Sequence, residues 1–144
     1  MKRNSILYLS ICLLLFGAVL FSNTSTIPLI ESATVNLYSV TKDEETGDFR
    51  VREKEEFTIN EKEALRELRF YLDKIAWESE RHLVEMAYHE GIRLTVQYED
   101  GETQVFRIWP GYNSSEIKSN GRYGKLKGKN SEKLNAIISF ERDK

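Results

Sequence analysis

The sequence predicts an α+β fold: a small mixed, mainly antiparallel sheet packed against one long helix plus a C-terminal helix, after an N-terminal membrane segment. Three observations carry this. Residues 60–76 repeat apolar side chains at three- and four-residue steps behind a capping signature. Residues 92–109 alternate apolar and polar side chains on both sides of an Asp-Gly pair. The first 22 residues hold an uncharged apolar run behind two cations.

The leader, "MKRNSILYLSICLLLFGAVLF", sets Lys2 and Arg3 ahead of a run from Ile6 to Phe21 that carries no charge. A cationic n-region before such a run marks a signal-anchor or a signal peptide, here residues 1–22. The run is slightly longer than an ordinary h-region and slightly shorter than the ~20 residues of a standard span. The next charge is Glu31, so the cationic end stays in the cytoplasm and the rest of the chain faces outward. The expected location is therefore the cell membrane, single-pass, with the C-terminal domain outside; cleavage of the leader would give a secreted protein instead. Cys12 is the only cysteine, which rules out an intramolecular disulfide. Ile11 precedes it where lipidation needs a small residue, so Cys12 reads as one more apolar residue of the run.

Residues 23–33, "NTSTIPLIES" and one more, form a polar spacer, and the domain proper is expected over 34–144. "ATVNLYSV" alternates in strand fashion with one slip at Leu37-Tyr38, and "TKDEETGD" is a turn by composition. "FRVREKEEFTI" resumes the alternation with Phe49 and Val51 inward, completing a hairpin. Asn60 then serves as N-cap of the long helix, with Glu63 closing a capping box. Leu65, Leu68, Leu72 and Ile75 line one stripe of that helix, and Trp77 covers the rim of the core. Residues 78–91 read as a short helical turn within an irregular connection that stops at Gly91.

The register of the next hairpin follows from its pattern. A two-residue Asp-Gly loop would set Leu94 against Arg107 and mix apolar and charged residues on one face. A three-residue loop, Glu99-Asp100-Gly101 with Gly101 in the left-handed region, opposes Leu94 to Phe106 and Ile92 to Ile108. A slip of one residue flips every side chain, so the hydrophobic pattern selects the bulged, three-residue turn. The other face then holds Arg93 opposite Arg107, with Trp109 next along the strand. Pro110 and Gly111 end that strand, and "GYNSSEIKSNGRYGKLKGKN" reads as a polar excursion with a short strand over 122–127. Asn130 or Ser131 caps the last helix, whose apolar face is Leu134, Ile137 and Ile138.

Charge excludes one class of partner. Lys2 and Arg3 aside, 19 basic residues face 23 acidic ones, and a nucleic-acid binder would show a dominant basic surface. The balance is uneven: residues 31–106 hold 19 acidic and 10 basic side chains, and residues 107–144 hold 4 and 9. The run Arg122, Lys125, Lys127, Lys129 and Lys133 suits an anionic wall polymer or lipid headgroups, and equally suits an edge strand protected from aggregation. Arg93 and Arg107 beside Trp109 form a candidate ligand-binding strip for a carboxylate or phosphate. On a continuous helix Glu78, His82, Glu85 and His89 would share one side, which makes His82, Glu85 and His89 candidate ligands for a divalent metal. The chain shows no cysteine beyond the leader, no G-x-S-x-G, no Gly-rich phosphate loop and no H-E-x-x-H, so no catalytic residue is assigned.

The order of "FTINEKEALRELRFYLDKI", "LVEMAYHEGIRLTVQYEDGETQVFRIW" and "YGKLKGKNSEKLNAIIS" resembles the YhfM-like family of small Bacillus cell-envelope (lipo)proteins. The matching features are the capped helix, Val84-Glu85-Met86-Ala87, the hairpin from Tyr98 to Trp109, and Tyr123 to Ile138, which together span about residues 35–140. These motifs are structural, so the resemblance implies a fold and an envelope location and no particular reaction. The combined expectation is a membrane-anchored extracytoplasmic binding or interaction domain, not an enzyme and without a cofactor. Its expected partners are the membrane, through the leader, and another envelope protein or an anionic wall polymer, with no nucleic acid. The alternatives are a divalent-metal-binding envelope protein and an uncharacterised hydrolase.

Overall fold

The computed structural model describes residues 27–78 and 91–144. The leader, the first part of the spacer and most of the 78–91 connection, with His82, Glu85 and His89, lie outside the described residues. Among the described residues, no helix is long and apolar enough to cross a membrane.

The strands are β1 (Ile30–Lys42), β2 (Phe49–Ile59), β3 (Ala76–Trp77), β4 (Gly91–Tyr98), β5 (Thr103–Pro110), β6 (Ser114–Ser119) and β7 (Arg122–Lys127). The helices are α1 (Lys62–Leu72) and α2 (Lys129–Arg142). All seven strands join one sheet in the order β2-β1-β4-β5-β6-β7-β3, and every neighbouring pair is antiparallel. The α+β class holds. The sheet is larger than the small mixed one expected, and α2, with 14 residues against 11 in α1, is the longer helix.

The bulged turn forms as the pattern demands. Leu94 pairs with Phe106 and Ile92 with Ile108. Gly101 sits at φ 87°, and the Tyr98 N–H closes the loop on the Glu102 carbonyl at 2.9 Å. Val35, Leu94, Val96, Phe106 and Ile108 are fully buried against Leu65, Leu68 and Leu72 of α1 and Leu134 and Ile138 of α2. The expected slip in β1 is a bulge at Leu37/Tyr38. Its hairpin turn is held by Asp43, whose carboxylate accepts the N–H groups of Glu45 and Thr46.

Several expectations give way to packing. β1 begins at Ile30, so the last four residues of the expected spacer are strand. β2 stays extended to Ile59, which is fully buried opposite Ala33; the helix therefore starts later, with Glu61 rather than Asn60 at the N-cap and no side-chain cap bond. Glu63 pairs instead with Arg66. Phe49 and Val51 are exposed, at the turn end of the hairpin, where they pair with Lys42 and Val40 of β1. α2 is entered through Gly128 at φ 55°, and its carbonyl accepts the N–H groups of Ser131 and Glu132. Ser131 does not cap that helix: it is buried, with its hydroxyl 2.7 Å from that of Ser115.

β6 is the element that the pattern hides. Its inward positions are Ser115, Ile117 and Ser119, so only one of the three is apolar. The serines are buried because partners satisfy them, Ser115 through Ser131, and Ser119 by donating to the Val105 carbonyl at 2.8 Å and accepting from Gln104 at 2.9 Å. Ala76 and Trp77 leave the helix and become an edge strand on Lys125 and Gly124, with Trp77 packed against the core.

Candidate functional site

One face of the sheet lies under the helices. The other carries side chains that strand alternation turns away from the core. At one level across that face stand Asn36 on β1, Arg93 on β4, Arg107 on β5, Lys118 on β6 and Tyr123 on β7, each paired with the next. The adjacent level holds Tyr38, Gly91, Trp109, Glu116 and Lys125 on the same strands, with Tyr38 opposite Gly91 and Trp109 opposite Glu116.

Two of the expected binding residues, Arg93 and Arg107, are thus direct cross-strand neighbours, and Arg107 stands between Arg93 and Lys118. Like charges placed directly opposite cost stability. Rings soften two of the three: the Arg93 guanidinium lies 5.5 Å from the Tyr38 ring centre, and the Lys118 ammonium 4.9 Å from that of Tyr123. Arg107 is exposed between them. Trp109, half-buried, lies against Gly91: a Cβ there would come within 3.2 Å of the indole Cδ1 and Nε1. Glycine at this position lets the indole lie over the β4 backbone.

The acids on this face are already engaged. Asn36 donates to Glu53 at 3.1 Å and to Glu56 at 2.6 Å, and Glu116 pairs with Lys125 at 2.5 Å. Among the described residues, no carboxylate pairs with Arg93, Arg107 or Lys118. The result is a short cationic track flanked by three aromatic rings. Sequence reasoning found Arg93, Arg107 and Trp109 from the hairpin register, and missed Lys118, Tyr38 and Tyr123, which other strands deliver.

The basic run of the C-terminal third disperses. Arg122 stacks 5.0 Å above Trp77, Lys125 is tied to Glu116, and Lys133 lines a groove between the helices. That groove, about 310 Å³, has Ala64, Ala136, Ile137 and Phe140 as its apolar lining and Glu61, Glu67 and Glu141 among its polar residues. Lys144 bridges Glu61 and Glu141. A smaller cavity of about 130 Å³ lies between Ile27, Leu72, Trp77, Phe106 and Arg122. At its edge Gln104 accepts from the Tyr98 hydroxyl at 2.9 Å. Burial first, then the charges of Asp100 and Glu102, push that phenol above its ordinary value. Among the described residues, no three His, Cys, Asp or Glu side chains are grouped to hold a metal. No protein-family model, curated protein or solved structure matches the chain.

Proposed function

We propose that this chain is a membrane-anchored, extracytoplasmic interaction domain of the bacterial cell envelope, of the YhfM-like kind, and that it binds through the open face of its sheet rather than acting as an enzyme. The leader anchors it by one pass, with the body outside. One observation carries the reading: the track sets Arg93, Arg107 and Lys118 side by side with no carboxylate paired to any of them among the described residues, while Glu53 and Glu56 are held by Asn36 and Glu116 by Lys125. A solvated face built only for stability would interleave the two signs. Arginines are suited to this work, since the guanidinium fork takes a carboxylate or phosphate on two parallel bonds.

The experiment is a crosslinking pull-down from intact cells with the full-length anchored chain, run beside an Arg93→Gln/Arg107→Gln double variant. The reading expects captured envelope material that the double variant loses. Equal capture by both chains would reject the face. Added protease should digest the body in cells stripped of wall; a protected body would reject the outward topology.

A further inference from the structure

Resting on that reading, we infer that the open face takes a phosphodiester-linked polyol or sugar polymer, laid across the strands from β4 to β6. The chemistry of the track argues for such a ligand. Arg93, Arg107 and Lys118 stand at one level on three successive strands. Adjacent strands lie about 4.8 Å apart, so the three cations root along a line of about 10 Å. That is a row rather than a cluster, and it matches repeating charges on a linear chain better than one compact anion.

Two guanidinium forks and one ammonium are both phosphate-binding chemistries. The units between phosphates are uncharged, and Tyr38, Trp109 and Tyr123 supply apolar surface beside each cation. The β1–β2 side is closed to a polyanion by Glu53 and Glu56, whose carboxylates Asn36 holds in place. The polymer therefore runs off the face over β6 and β7. Among the described residues this surface is open and not a pocket, so single contacts are weak and retention depends on many repeats meeting many anchored copies.

The test uses the full-length chain in neutral detergent and a synthetic glycerol-phosphate oligomer as probe. Poly-L-glutamate of equal charge and vesicles containing phosphatidylglycerol are the comparison arms. The glycerol-phosphate oligomer should bind with a slope of log K against log salt of about −2, from roughly 0.7 per neutralised phosphate over three cations. Arg107→Gln should weaken it about tenfold, as expected for loss of a charge-assisted hydrogen bond, and flatten the slope by about a third. Arg66→Gln, on helix α1, removes the same charge and should change nothing.

No binding at low salt, or undiminished binding by the Arg93→Gln/Arg107→Gln/Lys118→Gln variant with an unchanged circular dichroism spectrum, overturns the inference. Equal binding of poly-L-glutamate overturns the phosphodiester assignment, and binding to vesicles alone assigns the face to the membrane surface. A protein captured in cells through Arg93 and Arg107, with no oligomer binding, would leave the interaction reading standing and sink this one.

Discussion

If the cationic track exists for binding, reversing its central charge should make the fold more stable. Arg107→Glu tests this. Arg107 faces Arg93 on one side and Lys118 on the other. Taking the charges of directly opposed side chains as about 7 Å apart, each repulsion is worth about 0.6 kcal/mol in water. At physiological salt the Debye length of about 8 Å cuts that to about 0.25 kcal/mol. The substitution removes two repulsions and installs two attractions, a gain of about 1 kcal/mol, and Arg107→Gln should give about half of it. For a domain of this size, 1 kcal/mol raises Tm by about 3–6 °C. Thermal melts by circular dichroism at 0.15 M salt measure it. In 1 M salt, where the Debye length is about 3 Å, the gain should all but vanish. An unchanged or lowered Tm at 0.15 M would show that the three cations do not repel one another in the fold, because a carboxylate or packing holds the Arg107 guanidinium in place.

Four further predictions concern the scaffold. Gly124→Ala would set a Cβ 2.7 Å from Ile75 Cγ2 and 2.8 Å from Trp77 Cε3, so it should cost about 1–3 kcal/mol in urea unfolding as overpacking of the β3 edge. Gly101→Ala meets no atom within 4 Å but sits at φ 87°, and should cost about 1–2 kcal/mol through backbone strain alone. Ser131→Ala, which removes a buried partner of Ser115, should cost about 1–2 kcal/mol, and the Ser115→Ala/Ser131→Ala double variant less than the sum of the two singles. Tyr98 has its phenol raised above the usual value of about 10, so the folded state holds this proton more tightly than the unfolded state. Its contribution is whole below pH ~10 and is lost as pH rises from there through the folded value; Tm measured from pH 8 to 11.5 should fall for the parent chain and fall less for Tyr98→Phe.

Features that depend on neighbours along the chain were legible in its pattern. The period of Leu65, Leu68 and Leu72 specified a buried helical stripe, and the two-residue period around Asp100-Gly101 specified a register that sets Arg93 opposite Arg107. A one-residue slip would turn the hairpin's apolar side chains into water and rotate the helical stripe by about 100°, off the sheet, so local pattern suffices. The other features depend on contacts between distant segments. Strand β6 is buried on serines whose partners lie 14 to 16 residues away, so no alternation announces it, and the order that brings Lys118 beside Arg107 and Tyr38 beneath Arg93 is set by which strands pair. Asn60 has the chemistry of a cap and does not cap, because burial of Ile59 opposite Ala33 holds the strand extended to the helix. Burial of a large apolar side chain, worth about 1.5–3 kcal/mol, outweighs a cap worth about 1 kcal/mol.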